Sequence, residues 1–110
     1  MWRFSAGPGI RLRSMPSLFV LENDRQVAHL QLHPGSITVG RLKSNTVVLD
    51  NAGVSRHHLR IEGDPSGTLF VLEDMNSLNG TFVGTEKVQA CLLQQGDEVH
   101  LGKHTLVFAD

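Results

Sequence analysis

The chain has 110 residues and a formal net charge of −1, with 10 Lys and Arg against 11 Asp and Glu. It lacks the basic excess that nucleic-acid-binding proteins usually carry and any apolar run of membrane-spanning length, so we expect neither a nucleic-acid nor a membrane partner. Its single cysteine, Cys91, excludes an intrachain disulfide and favours a cytoplasmic (intracellular) location.

The first residues, MWRFSAGPGIRLRSMP, carry three arginines but no continuous apolar core, which makes them a poor secretory signal. A basic, acid-free start is also compatible with a transit peptide, although Gly-Pro-Gly opposes an amphipathic helix. We expect a flexible N-terminal leader over residues 1–16, with Met15 as an alternative start. One domain, large enough to bury a core, then covers residues 17–110.

From Ser17 onward, short segments rich in Val, Leu, Ile, Phe and Thr alternate with a period of two. Turn signals such as ENDR, HPGS, GDPSG and QQGD separate them. No window holds a 3.6-residue pattern long enough for a stable helix. Many short strands predict an all-β sandwich or barrel. In chain order the segments are SLFVLE, QVAHLQL, ITVGR, TVVLD, HHLRIE, TLFVLED, GTFVG, DEVHLG and HTLVFAD.

Two polar loops are candidates for a binding site. If successive strands alternate direction, the loops at residues 50–56 and 74–79 lie at the same end of the molecule. Ser55 and Arg56 then face the Asn and Ser side chains of the second loop, in a donor-rich group suited to an anion. Simple alternation places Arg41 at the far end, unless the strand TVVLD sits so that both its flanking loops reach this end.

Five motifs in this order and spacing resemble the forkhead-associated (FHA) domain family over about residues 17–109. The resemblance implies an antiparallel β-sandwich of about 10–11 short strands, of the SMAD/FHA type. It also implies a module that binds phosphothreonine in partner proteins and has no catalytic activity, and it brings Arg41 to the same end as the other loops. The motifs are GR at 40–41, N-x-V-x-L at 45–49, VSRHH at 54–58, D-x-x-S-x-N-G-T at 74–81 and L-x-x-G-D-x-V-x-L-G at 93–102.

The resemblance also implies roles for individual residues. Arg41 matches the arginine that contacts the phosphate, and Ser55 matches the serine whose hydroxyl and backbone bind phosphate oxygens. Arg56 stands where the family places a second phosphate contact, and Asn79 matches the asparagine that bonds to the main chain of the ligand. Positions that shape the site are matched by Gly40, His58 and Gly80. Possible peptide contacts on the same loops are Lys43, Ser44, Ser77 and Leu78.

Two features depart from simple expectation. The family often has Ser or Thr where this chain has Leu78, which removes one hydroxyl and adds an apolar wall. Strict alternation from Leu59 would bury His57 and expose His58, whereas the resemblance makes His58 a buried brace. We therefore expect the strand to start irregularly after the loop.

Metal and nucleophile sites are the alternatives for the six histidines. The pairs with i,i+4 spacing fall in strands and turns and have no Cys or Glu cluster beside them, so we expect no metal or other cofactor. Ser55 with His57 or His58 is a poor nucleophile pair, because neighbouring strand residues point to opposite faces and no carboxylate orients the ring. We expect no catalytic residue and no enzymatic activity.

The function that we predict is phosphothreonine-dependent recruitment of a protein phosphorylated by a Ser/Thr kinase. The chain would then be a monomeric adaptor in signal transduction. The alternative is an FHA-fold scaffold that binds partners by a sheet face, independently of phosphate, and Leu78 keeps this alternative open.

Overall fold

The computed structural model describes residues 15–110, so the leader expected over residues 1–16 lies, up to residue 14, outside the described residues. The described residues form eleven strands and no helix. The strands are β1 (Ser17–Glu22), β2 (Arg25–Gln31), β3 (Gly35–Gly40), β4 (Val47–Val48), β5 (Leu59–Gly63), β6 (Phe70–Asp74), β7 (Phe82–Val83), β8 (Glu86–Lys87), β9 (Ala90–Leu92), β10 (Glu98–Leu101) and β11 (His104–Ala109).

The strands form two sheets, which confirms the predicted all-β sandwich. One sheet has the order β9-β6-β5-β3-β4, and the other has the order β2-β1-β11-β10-β7-β8. Strands β8 and β9 were not among the segments found in the sequence, because Glu86–Lys87 is charged and Ala90–Leu92 is too short to display a period of two. A parallel pair, β3 with β4, interrupts the otherwise antiparallel order.

The core lies between the sheets and follows the alternation of the strands. In β6, Phe70 and Leu72 are buried, whereas Val71 and the preceding Leu69 face outward. Each buried side chain of this size contributes roughly 1.5–3 kcal/mol to folding. The core cluster consists of Leu18, Val20, Leu32, Val39, Val47, Leu49, Val54, Leu59, Ile61, Phe70, Leu72, Leu93, Val99, Leu101, Leu106 and Phe108.

The parallel pairing of β4 decides where the loops lie. Val39 is opposite Val47, so the chain leaves β3, completes a full turn through residues 41–46 and then runs in the same direction again. Because β4 has only two residues and pairs with the last two residues of β3, the loops before and after β4 both lie at one end of the sandwich. Simple alternation of strand direction, which would send Arg41 to the far end, fails at this turn.

Both ends of the domain lie away from these loops. Gly102, just before β11, packs against Gly53 in the loop that follows β4. Strand β11 then runs to Ala109, which pairs with Ser17 at the start of β1. The first and last strand residues are thus neighbours at the opposite end of the sandwich.

A buried histidine lies at the margin of the core. His104 is 5% exposed, and its Nδ1 has no hydrogen-bond partner in residues 15–110. Burial lowers the pKa of His104 and outweighs the Glu22 carboxylate, whose Oε1 lies 4.0 Å from Nε2 and favours the charged form. The fold therefore favours the neutral imidazole.

None of the described residues forms a helix long and apolar enough to cross a membrane.

This burial predicts a pH dependence of stability. A histidine whose pKa is depressed by folding stabilises the protein fully above its ordinary pKa of about 6.5, and this contribution is lost as the pH falls through the folded value. We expect His104→Leu to reduce the loss of unfolding free energy between neutral and mildly acidic pH, as measured by urea titration. His33→Leu, at an exposed position, is the control. An unchanged pH dependence in His104→Leu would contradict the prediction.

Candidate functional site

A cavity of about 580 Å³ opens at the end of the sandwich where three loops meet. The loops are residues 41–46, 49–58 and 75–81, which follow β3, β4 and β6. Two arginines line the cavity, and none of its described lining residues is acidic. The lining consists of Arg41, Leu42, Ala52, Val54, Ser55, Arg56, His57, Met75, Asn76, Leu78 and Asn79.

Arg41 is fixed at the wall of this cavity by the second loop. Its backbone N–H donates to the Ser55 carbonyl at 3.0 Å, and its Nη1 donates to the Val54 carbonyl at 2.9 Å. A guanidinium has five N–H donors, so one bond orients the group and leaves the others for a ligand. Neither Arg41 nor the exposed Arg56 forms an ion pair with any acidic residue of 15–110. Neither guanidinium is therefore paired with a carboxylate within the described chain.

Ser55 joins the second and third loops. Its Oγ accepts the backbone N–H of Leu78 at 2.9 Å, so the hydroxyl proton remains available to a ligand. Its own N–H donates to His58 Nδ1 at 3.0 Å. The Ser55 N–H, which the resemblance expects to contact phosphate, is thus bonded to His58 in this structure, while the hydroxyl keeps its proton free of bonds within residues 15–110.

His58 is fully buried and bridges two loops through both ring nitrogens. Because Nδ1 accepts from Ser55, the proton lies on Nε2, which donates to the Gly80 carbonyl at 2.9 Å. Both ring nitrogens are thus occupied, and neither is left to act as a base toward the Ser55 hydroxyl. His58 positions the loops, and the geometry gives it no role as a general base.

The expected irregular start of the strand is observed, and strict alternation fails for the neighbouring pair. Alternation would have buried His57 with Leu59, but His57 is exposed and its Nδ1 lies 3.3 Å from Asn45 Oδ1. The regular strand begins only at Leu59, and residues 55–58 are irregular. His58 and Leu59 are consecutive and both buried, which a regular strand does not allow.

Asp74 organises the third loop from beneath. Its Oδ1 accepts the hydroxyls of Ser77 and Thr81, each at 2.6 Å, and its Oδ2 accepts the Ser77 N–H at 3.0 Å. Burial alone would raise the pKa of Asp74, but these hydrogen bonds outweigh it and hold the pKa below its ordinary value. The motif D-x-x-S-x-N-G-T is therefore a hydrogen-bonded loop whose acid is ionised at neutral pH.

Asn79 stands at the exposed tip of this braced loop. One hydrogen of its amide donates to the Gly53 carbonyl at 3.2 Å. Its second amide hydrogen and its side-chain oxygen make no hydrogen bond within residues 15–110. A donor and an acceptor side by side suit the backbone of an extended peptide.

The first loop is held by a residue that the sequence reasoning quoted in a motif but did not assign to the site. Asn45 is 6% exposed, and its Nδ2 donates to the carbonyls of Leu42 and Arg56 at 2.9 and 2.8 Å. Asn45 lies in a polar turn directly before an apolar strand, and this position is the signal that could have identified it as a residue that holds the loop. Asp74 carried a similar signal as the last residue of an apolar strand.

Two glycines allow the loops to approach one another. A Cβ at Gly40 would lie 2.2 Å from the Arg56 carbonyl oxygen, a distance that no side chain tolerates. Gly80 has a φ of +91°, in the left-handed region, and its carbonyl is the one that His58 reaches. Each of these positions requires glycine for a separate geometric reason.

The four side chains considered as peptide contacts differ in their placement. Lys43 and Ser44 are exposed on the first loop but do not line the cavity. The Ser77 hydroxyl is engaged with Asp74 and accepts the Gly80 N–H at 3.0 Å. Leu78 lines the cavity and is 88% exposed. Within the described part of the chain, no group of three or more His, Cys, Asp or Glu side chains could hold a metal ion.

The FHA domain family model matches residues 37–102. Among curated proteins, the ABC transporter ATP-binding/permease protein Rv1747 of Mycobacterium tuberculosis is 42% identical over 80 residues, which cover 73% of this chain and 9% of that protein. The chain spans 9% of the length of this transporter and 55% of the length of the oxoglutarate dehydrogenase inhibitor of Corynebacterium glutamicum, to which it is 38% identical over 84 residues, or 74% of this chain.

Solved structures with the same fold include two with functional information. One comes from work on phosphothreonine-dependent FHA domain interactions, with a TM-score of 0.79, 33% identity and coverage of 88% of this chain and 97% of that chain. The other is Mycobacterium tuberculosis EmbR in complex with a low-affinity phosphopeptide. It has a TM-score of 0.75, 33% identity and coverage of 88% of this chain and 24% of that chain.

The bonds to Asp74 predict a cost for changing its carboxylate. In Asp74→Asn, an amide N–H₂ would replace one of the two carboxylate oxygens. It would then face a donor of Ser77 or Thr81, and that buried donor would lose its acceptor. We expect the unfolding free energy to fall by about 1–3 kcal/mol at neutral pH, as measured by urea titration. Asp50→Asn, at an exposed position, is the control and should change stability little. Equal stabilities for the two variants would contradict the prediction.

Proposed function

The chain belongs to the FHA domain family, and on that premise we propose that it is a phosphothreonine-dependent interaction module. Its partner in this proposal is a protein phosphorylated by a Ser/Thr kinase. The observation that carries the proposal is the convergence of Arg41, Ser55, Arg56 and Asn79 on a cavity whose described lining includes no acidic residue. The EmbR complex with a phosphopeptide and the phosphothreonine-dependent relative support it.

The chemistry of the cavity suits a phosphate ester. A phosphothreonine carries a charge of about −1.5 to −2 near neutral pH and three strong acceptor oxygens. Arg41 and Arg56 offer planar forks of donors that stay protonated, and the Ser55 hydroxyl offers a further donor. Glutamate, with one charge and two oxygens, is expected to be a poor substitute for the phosphate.

The same geometry supports a recruiting role without catalysis. The ring nitrogens of His58 bond to Ser55 N–H and the Gly80 carbonyl, so the Ser55 hydroxyl has no base there. We therefore propose an adaptor without catalytic activity; its monomeric state, its part in signal transduction and its cytoplasmic location stay predictions from the sequence. Its ligand is held by charge and hydrogen bonds, and dissociates unchanged.

Removing the Arg41 guanidinium tests the proposal directly. We expect Arg41→Ala to weaken binding of a phosphothreonine peptide by at least about 2 kcal/mol, or roughly thirtyfold in Kd. Arg41→Lys should also weaken it, because a lysine keeps the charge but loses the fork of donors. Isothermal titration with phosphothreonine, phosphoserine, glutamate and unphosphorylated forms of one peptide provides the measurement.

Arg60→Ala is the matched control for these variants. Arg60 lies on β5, outside the cavity, and pairs with Glu62 and Glu73. Equal titration curves for wild type and Arg41→Ala would overturn the proposal. A partner that binds equally well with and without phosphate would instead favour the phosphate-independent scaffold.

Asn79 provides a second, independent test. We expect Asn79→Ala to lower the affinity for the same phosphopeptide while the thermal unfolding temperature changes little. The reason is that Asn79 is exposed and makes one long hydrogen bond, to Gly53. Comparison of calorimetric affinity with thermal unfolding separates the two effects. Unchanged affinity would remove Asn79 from the proposed ligand contacts.

A further inference from the structure

An apolar rim borders the phosphate-binding residues of the cavity. The rim consists of Leu42, Met75 and Leu78, which are 39%, 42% and 88% exposed and all line the same cavity. Leu78 is the most exposed large hydrophobic side chain in the described part of the chain. Isolated exposed leucines are common, but three large apolar side chains around one polar cavity mark a contact surface.

The rim encloses the phosphate-binding segment from two loops. The backbone N–H of Leu42 donates to the Arg56 carbonyl at 3.3 Å, and the backbone N–H of Leu78 donates to Ser55 Oγ at 2.9 Å. Leu42 and Leu78 are therefore joined through their backbones to Arg56 and Ser55, the residues proposed to bind phosphate, one from each neighbouring loop.

Leu78 is also presented by a rigid part of the molecule. Its own N–H is bonded, and the loop on either side is held by the contacts of Asp74 with Ser77 and of His58 with Gly80. The backbone of a braced loop does not have to be ordered when a ligand covers one of its side chains. Leu78 can thus contribute to binding without the entropic cost of ordering its backbone.

We propose that Leu78, with Met75 and Leu42, selects phosphothreonine peptides that carry a large apolar side chain close to the phosphorylated residue. This inference rests on the proposed function and specifies its ligand. The occupant of the rim is the partner peptide itself, because the rim is continuous with the residues that hold its phosphate. A flanking Leu, Met or Phe would cover the rim, whereas a flanking Asp or Ser would leave it in water.

A panel of phosphothreonine peptides tests this selection. The peptides share an alanine background, and a single Leu or a single Ser is placed at each position within three residues of the phosphothreonine. We expect the Leu peptide to bind wild type roughly tenfold more tightly than the Ser peptide at one position or more, since burial of one leucine has about this value. In Leu78→Ala the ratio should fall below about threefold.

Leu69→Ala is the matched control, because Leu69 is 51% exposed but lies outside the cavity. It should keep the ratio of the wild type. Leu-to-Ser ratios within about twofold at every position in wild type, or an unchanged ratio in Leu78→Ala, would overturn the inference and leave the proposed function standing. Equal binding of the phosphorylated and unphosphorylated alanine peptides would overturn the proposed function and this inference with it.

Discussion

The imidazole of His58 is the contact on which the binding end of the molecule depends. It accepts from Ser55 and donates to Gly80, so a single buried ring fixes the distance between two loops that come from different sheet connections. Because it needs one acceptor and one donor nitrogen, only the neutral ring with its proton on Nε2 satisfies both partners. His58 thus holds the backbone of Ser55, whose hydroxyl bonds to Leu78, while Asp74 braces the rest of the third loop.

A second constraint acts on the backbone. The pairing of the short strand β4 with the end of β3 brings Arg41 to the same end as Ser55. The Arg56 carbonyl lies so close to the backbone at position 40 that only glycine fits there. Asn45 then ties the turn between these strands to the Arg56 carbonyl. Buried side chains thus shape the cavity by bonding to backbone groups of the loops. The side chains proposed to contact the ligand lie at the surface of the cavity.

Much of this architecture could be predicted from the sequence, because strands buried on one face carry a period of two and turns carry Gly, Asn and Pro. The path through β4 could not be predicted, because the two residues Val47 and Val48 do not reveal whether the strand runs parallel or antiparallel to β3. The depth of His58 could not be derived from alternation either, because the chain is irregular until Leu59. Here the resemblance to a family supplied what periodicity lacked. The ligand contacts named from the sequence remain predictions.

The neighbouring positions of Ser17 and Ala109 have a consequence for assembly. Two chain ends that leave a domain side by side allow it to be placed within a longer polypeptide as a single projecting unit. Strand β11 runs from the loop end to this far end, so six residues, roughly 20 Å, separate the attachment point from the cavity. A tether at either Ser17 or Ala109 would leave the end that carries the cavity pointing away from the attachment point.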